Sequence, residues 1–135
     1  MINFKYMGKK LEKSINFGHK NGLHIRPGQI IKSISEKLLS EIHLFSKKKN
    51  SKVNIKKDGL IEIILLEIIK GDELILTAEG EDAENAIDIM EYLLARDPYH
   101  IETNINEELE IIKNKNWNEE IKKILVDSII NNKPK

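Results

Sequence analysis

Apolar residues recur along this chain with two different periods, and each period predicts one type of element. Strict alternation of apolar and polar residues is typical of a half-buried strand. We predict strands over residues 14–17, 41–45, 53–55 and 74–79. The first places Ile15 and Phe17 on one face, and the lysine-rich turn 47–50 joins the middle two as a hairpin.

Two other segments follow the helical period. The first begins close to Pro27, whose missing N–H costs nothing in the first turn of a helix. Its apolar residues are Ile30, Ile31, Ile34 and Leu38. The second covers 83–94, with Asp82 placed to cap its first turn. It ends before Pro98, because the residue that precedes a proline avoids helical geometry.

The segment Leu60–Ile69 fits either type of element. It is an apolar run interrupted only by Glu62 and Glu67, and its length suits a buried strand or a short helix. Its content of β-branched residues favours a strand, because these side chains are stiff in helices.

The order of elements predicts an α+β fold, an antiparallel sheet with helices on one side. We interpret residues 1–12 as an N-terminal extension, 13–97 as the domain and 98–135 as a helical C-terminal extension. The last contains two amphipathic stretches, 107–112 and 119–130, which would pack outside the domain or on a partner.

Composition excludes several classes of protein. The 135 residues include no cysteine, which rules out disulfides, thiol catalysis and iron–sulfur or cysteine-bound zinc sites. No stretch resembles a signal peptide or approaches the roughly 18 apolar residues of a membrane span. We therefore expect a cytoplasmic protein without membrane insertion. We further expect that it is a monomer and binds no cofactor.

Charge is unevenly distributed although the net charge is zero. Residues 1–57 contain 14 Lys and Arg against 3 acids, whereas residues 58–97 contain 2 against 12. A basic first half would steer acidic partners or anionic groups towards it. The alternative is a solvated surface that reflects codon bias.

One segment, Asn21–Pro27 with the sequence NGLHIRP, combines residues suited to phosphoryl chemistry. His24 follows a glycine-bearing loop and precedes a predicted helix start, whose N–H groups and dipole favour a phosphate. A neutral imidazole is a nucleophile at physiological pH. Arg26 can bind phosphate oxygens through two N–H groups. On chemistry alone, a capping or surface histidine is the more common alternative.

This segment resembles the active-site signature of the histidine-containing phosphocarrier (HPr) family, which is normally Gly-(Leu/Ile)-His-Ala-Arg-Pro-Ala. Residues 70–83, with Lys70-Gly71-Asp72 and Thr77 to Ala83, resemble the last strand and the start of the last helix of that family. Residues 53–56 resemble its third strand. The matches are collinear and cover about residues 13–96.

The resemblance implies an open-faced β-sandwich with four antiparallel strands and three helices, in which Leu60–Ile69 contains a short helix. It implies that His24 receives a phosphoryl group on Nδ1, as pros-phosphohistidine, from Enzyme I and passes it to EIIA domains. Arg26 would stabilise the phosphohistidine, Asn21 and Gly22 would support the loop, and Pro27 would fix the helix start. The residues of the partner-binding patch would be Leu60, Ile61 and Ile64.

The chain also departs from the family pattern. Gly28 and Gln29 replace two alanines, and Glu67 stands where a glycine is usual. The position of the regulatory serine found in many members falls on Lys57 or Gly59, which have no hydroxyl. Glu62 and Glu67 would add negative charge to the partner surface.

The other histidines have weaker interpretations. His19 could tune His24 electrostatically, but a solvent-exposed side chain is the more common outcome. His43 is expected to project from its strand opposite Ile42, and His100 lies in the tail. No spacing of histidines and carboxylates predicts a metal site.

The sequence is compatible with four functions. They are a phosphocarrier for sugar uptake, a regulatory carrier of a nitrogen-type phosphotransfer chain, an HPr-like domain that has become a protein-binding module, and a small RNA-binding domain. The last depends on the six lysines within residues 47–57. A charged hairpin without nucleic acid binding is favoured over it, because only Phe45 is available nearby to stack on bases.

Overall fold

Four strands form one antiparallel sheet in a computed structural model that describes residues 10–100 and 102–132. The strands are β1 (Lys10–Asn16), β2 (Glu41–Ser46), β3 (Ser51–Asn54) and β4 (Glu73–Glu79). Their order across the sheet is β1-β4-β2-β3, so the first and last strands in sequence lie side by side. The predicted antiparallel sheet is confirmed.

The helices are α1 (Ile25–Ser35), α2 (Leu60–Ile64), α3 (Ala83–Ala95), α4 (Ile105–Lys113) and α5 (Glu119–Asn132). One face of the sheet is buried, as Leu44 of β2 and Leu76 of β4 show. The other face, with His43 and Thr77, is only partly covered. The open-faced α+β architecture is thereby confirmed, with His43 opposite Ile42 as expected.

The preference for a strand over Leu60–Ile69 is wrong, and the short helix implied by the family resemblance is present as α2. The segment is not part of the sheet, which consists of β1, β4, β2 and β3. Its residues Ile63, Leu66 and Ile68 are buried in the core instead. Burial of these side chains outweighs strand propensity, which is weak and depends on context.

The N-terminal boundary also differs from the interpretation of residues 1–12. Residues 1–9 lie outside those that the structure describes, but residues 10–12 belong to β1, where Lys10 pairs with Glu79. The alternation is hidden in the sequence because Lys13 occupies a position on the covered side of the sheet. Its ammonium reaches Glu91 of α3 at 2.7 Å.

The two C-terminal helices pack onto the domain. Both helices and the turn between them contribute to the core with Ile112, Trp117, Ile121, Leu125 and Ile129. Helix α5 contacts α1, and Lys37 forms an ion pair of 2.8 Å with Glu120 beside this contact. The prediction that this extension is helical is confirmed, and both of its helices pack on the domain.

Asp82 stands at the N-cap of α3, but its side chain does not cap that helix. Its carboxylate accepts hydrogen bonds from the backbone N–H groups of Leu39 and Ser40, both at 2.8 Å. The predicted capping contact is therefore replaced by one that ties α3 to the loop before β2. Within the described part of the chain, no helix is long and apolar enough to span a membrane.

Candidate functional site

Backbone contacts with the segment after α2 hold the loop that precedes His24. The N–H of Leu23 donates to the carbonyl of Ile68 at 2.9 Å, and the side chain of Leu23 is buried. Gly22 has φ +79°, a conformation that glycine adopts without a steric penalty. A Cβ at Gly22 would also lie 3.1 Å from the carbonyl oxygen of Ile68. Gly22 supports the loop through its backbone.

His24 is the N-cap residue of α1. Its backbone is extended, with φ −115°, and its carbonyl accepts a hydrogen bond from the N–H of Gly28 at 3.0 Å. The imidazole makes no capping hydrogen bond and is exposed. A nucleophilic ring is therefore presented at a helix N-terminus, where the first N–H groups lack intrahelical acceptors and favour an anion.

Arg26 and Pro27 follow in the first turn of α1, where Arg26 is exposed and Pro27 is buried. A pocket of about 230 Å³ opens beside them. Its walls consist of His19, Asn21, His24, Arg26, Pro27, Asp97, Tyr99 and His100. The structure thus brings together every residue that the sequence predicts for the phosphoryl site except Gly22, which acts from the backbone.

Three residues of this pocket come from the segment after α3, which sequence analysis assigned largely to a tail. Asp97 accepts a hydrogen bond from the backbone N–H of Lys20 at 3.0 Å, and the Tyr99 hydroxyl lies 2.8 Å from the hydroxyl of Ser128 in α5. Burial raises the pKa of Tyr99 to about 12, opposed by the Ser128 hydrogen bond and the charge of Arg26. No sequence pattern indicates this arrangement, because it depends on where α4 and α5 pack.

His19 is buried, with 3% of its surface exposed, so the solvent-exposed expectation is wrong. The N–H of Gly18 donates to Leu94 O at 2.9 Å, which draws this loop against the end of α3. The ring of His19 stacks on Phe17 with centroids 4.7 Å apart, and its Nε2 lies 2.6 Å from Leu93 O. Burial is the main reason why the pKa of His19 is lowered.

The three residues predicted for the partner-binding patch differ in exposure. Ile61 is 67% exposed, whereas Leu60 and Ile64 are partly buried beside Gly28. A Cβ at Gly28 would lie 2.7 Å from Leu60 Cδ1, so glycine permits the close approach of α1 and α2. Three further exposed apolar side chains, which no sequence pattern indicates, lie on the neighbouring segments: Ile25, Leu65 and Ile69.

The lysine-rich turn 47–50 pairs with acidic residues of the segment 67–73. Lys48 lies 2.7 Å from Asp72, and Lys49 forms an ion pair with Glu67. The hydrogen bond from Lys49 is the main reason why the pKa of Glu67 is lowered. Glu67 also has φ +51°, which accounts for the glycine that is usual at this position. The negative charge of Glu67 is therefore offset by a neighbour, contrary to its expected contribution to the partner surface.

No cluster of three or more histidine and carboxylate side chains among residues 10–100 and 102–132 has the geometry of a metal site. The pocket beside His24 combines an imidazole, a guanidinium and the N-terminus of α1. These groups are suited to holding and stabilising a phosphoryl group.

Comparison with known proteins identifies relatives of this chain. A family sequence model described as "PTS HPr component phosphorylation site" matches residues 11–96. The phosphocarrier protein HPr of Buchnera aphidicola is 34% identical over 77 residues, which cover 57% of this chain and 86% of that protein.

Two crystal structures show the same architecture. The phosphocarrier protein HPr from Bacillus anthracis superimposes with a TM-score of 0.58 at 25% identity, over 64% of this chain and 99% of that one. The HPr-C-His protein from Thermoanaerobacter tengcongensis gives a TM-score of 0.53 at 32% identity, over 64% of this chain and 98% of that one. The similarity thus covers the sheet and the first three helices, while α4 and α5 are additional.

Proposed function

The chain belongs to the HPr family of phosphocarrier proteins of the phosphotransferase system, and we propose that His24 is the residue on which it carries the phosphoryl group. The observation that carries this proposal is the placement of His24 at the N-cap of α1, with an exposed ring and no capping hydrogen bond. In a histidine that capped the helix, a ring nitrogen would accept a hydrogen bond from a backbone N–H of the first turn.

The transfer is a displacement at phosphorus. The lone pair on Nδ1 of neutral His24 forms the new N–P bond as the bond between phosphorus and the donor breaks, and the electron pair of that bond stays with the donor. Arg26 and the N–H groups of the first turn of α1 stabilise the oxygens of the moving group. Delivery to the acceptor is the same step in reverse, so His24 is regenerated.

We infer that the donor is Enzyme I charged by phosphoenolpyruvate and that the acceptors are EIIA-type domains in sugar uptake, in the cytoplasm. The docking surface would include the exposed side chains of Ile25, Ile61 and Leu65, beside the predicted patch residues Leu60 and Ile64. Exposed apolar groups next to a reactive residue are typical of a protein-binding surface. Pairing of the lysine-rich turn with acids argues against nucleic acid as the partner.

A regulatory acceptor is the second candidate for the delivery step. It is favoured by the lack of a hydroxyl at Lys57 and Gly59, the candidate positions of the regulatory serine found in many members. Both branches use the same phosphohistidine, so they differ only in the acceptor.

The test is incubation with phosphoenolpyruvate and Enzyme I, followed by intact mass measurement and fragmentation. We expect the mass of one phosphoryl group, lost in acid and retained in base, on His24. A subsequent chase with EIIA of the sugar type or of the nitrogen type identifies the branch. An unmodified wild-type chain beside a charged control HPr would reject the proposal and favour a binding module.

A further inference from the structure

His19 is a buried titratable side chain that the proposed transfer does not use. It lies in the wall of the same pocket as His24, five positions earlier in the chain, and is almost fully shielded from solvent. A buried polar side chain usually has a specific partner for each of its polar atoms. The two ring nitrogens of His19 have partners of different kinds.

The first nitrogen fixes the ring. Nε2 lies 2.6 Å from Leu93 O, and a carbonyl oxygen only accepts, so Nε2 carries a proton. In the neutral ring Nδ1 is then unprotonated, and it lies 3.7 Å from the Asp97 carboxylate through Oδ1. The other carboxylate oxygen, Oδ2, accepts from the backbone N–H of Lys20 at 3.0 Å. Asp97 is therefore held with one oxygen turned to a ring nitrogen that lacks a proton.

We propose that His19 is a positioning residue that responds to the charge on His24. When His24 is phosphorylated, Nδ1 of His19 takes up a proton from solvent. The resulting imidazolium, held between the Leu93 carbonyl and the Asp97 carboxylate, balances the added negative charge. The inference rests on the proposed function of His24. No bond other than the new N–H is made at His19.

The balance of charges around the ring explains why it is neutral before phosphorylation. Burial lowers the pKa of His19, and a positive charge on His24 lowers it further. Hydrogen bonds to the backbone of Leu93 and of Arg96 and the charge of Asp97 raise it. The other charged or titratable side chains in the pocket wall are Arg26, Tyr99 and His100. Burial lowers the pKa of His19 by more than the Asp97 carboxylate and the backbone hydrogen bonds raise it.

Phosphorylation reverses the sign of the contribution from His24. A phosphoryl group carries about −1.5 to −2 charges near neutral pH. Protonated His24 disfavours the charged form of the His19 ring, whereas the phosphate on His24 favours that charged form. Thermodynamic linkage makes the effect reciprocal, since a proton on His19 stabilises the phosphoryl group on His24 to the same extent.

The primary test is an NMR titration of the histidine rings in the wild-type chain before and after phosphorylation by Enzyme I and phosphoenolpyruvate, with the modification on His24 verified by mass. We expect the titration midpoint of His19 to move upward. His43, on the open face of the sheet beside Glu41, serves as the internal control and is expected to keep its midpoint.

A matched pair of variants tests the coupling without any donor protein. His24→Glu places a permanent negative charge at the site, and His24→Gln provides the uncharged comparison of similar volume. We expect a higher midpoint for His19 in His24→Glu than in His24→Gln. A failure of phosphorylation in wild type would reject the function of His24 while this pair still measures the coupling.

The consequence for transfer is measured with His19→Gln, whose amide N–H can still donate to the Leu93 carbonyl although the side chain cannot be charged. At equilibrium with a limiting amount of phosphorylated Enzyme I, we expect a smaller fraction of the His19→Gln chain than of the wild-type chain to be phosphorylated. This difference should shrink when the pH is raised above the titration midpoint that His19 has in the phosphorylated wild-type protein. A midpoint for His19 that stays constant or falls on phosphorylation, or an equal midpoint in His24→Glu and His24→Gln, would overturn the proposal.

Discussion

The carboxylate of Glu108 accepts two hydrogen bonds from the guanidinium of Arg96, at 3.0 Å from Nε and 2.5 Å from Nη2. The Tyr92 hydroxyl donates a third at 2.8 Å, and Glu108 is only 4% exposed. The hydrogen bond to Glu108 is the main reason why the pKa of Arg96 is raised. The pair joins α4 to the end of α3, immediately before Asp97, so the additional helices hold one wall of the His24 pocket.

This contact predicts a loss of stability for Glu108→Gln. The variant keeps the volume but leaves Arg96 and Tyr92 with a weaker acceptor. We expect the free energy of unfolding to fall by about 1–3 kcal/mol, below the full cost of a broken buried ion pair because Arg96 is partly exposed. Urea denaturation measures it. The control is Glu107→Gln, since Glu107 lies 3.7 Å from Arg96 and is mostly exposed, and equal losses in both variants would contradict the assignment.

We expect His24→Ala to abolish phosphoryl acceptance while the fold survives. The ring is exposed and contributes no capping hydrogen bond, so its loss removes the nucleophile and little packing. Intact mass after incubation with Enzyme I and phosphoenolpyruvate measures acceptance, and the circular dichroism spectrum measures the fold. Acid-labile, base-stable phosphate on the variant would assign the acceptor to another residue. His43→Ala is the control with the site intact.

Arg26→Ala is expected to slow transfer more than Arg26→Lys, and both variants should shorten the lifetime of the phosphohistidine. A lysine keeps the charge but loses the two-pronged contact with phosphate oxygens. A charged hydrogen bond contributes about 1.5–3 kcal/mol when shielded and less on an exposed side chain, so we expect a decrease of about tenfold or less. Quenched-flow transfer from Enzyme I measures the rate. Equal rates in wild type and both variants would show that Arg26 does not touch the phosphate.

Burial of His19 predicts that stability decreases in mildly acidic solution. Its pKa in the folded chain is lowered from 6.5, so the unfolded chain binds more protons between the folded value and 6.5. The free energy of unfolding is then complete above about pH 6.5 and falls as the pH drops below it. Denaturation between pH 7 and 5 measures the slope. His19→Gln should reduce it, and an unchanged slope in His19→Gln would refute the explanation.

Control by serine phosphorylation is expected to be absent. The two candidate positions for the regulatory serine are Lys57 and Gly59, the N-cap of α2, and neither has a hydroxyl. Ser51 lies in β3, where it pairs with Ser46 of β2. The test is incubation with an HPr kinase and ATP, with sites mapped by fragmentation. Stoichiometric phosphoserine that also slows transfer from Enzyme I would contradict this prediction, and a serine-containing HPr verifies that the kinase is active.

Local patterns account for the parts of the fold that local physics controls. Alternation located the core of each strand, because side chains of a strand point to opposite faces regardless of what covers them. The segment Asn21–Pro27 located His24 at a helix start, because Gly22 permits the positive φ of the loop and Pro27 fixes φ in the first turn of the helix. The phosphoryl chemistry of His24 and Arg26 was likewise predicted from the residues together with the family resemblance.

Contacts between distant segments decided the rest. Strand propensity failed for Leu60–Ile69, because its apolar side chains gained more by burial in the core as part of a helix and the turn after it. His19 is buried because the end of α3 packs over it, and Asp97 and Tyr99 enter the site because α4 and α5 fold back onto the domain. The sequence alone determined that His24 precedes a helix start beside an arginine, as the proposed carrier of the phosphoryl group. The tertiary structure decided which charges surround it, since burial and electrostatic coupling depend on distances through space.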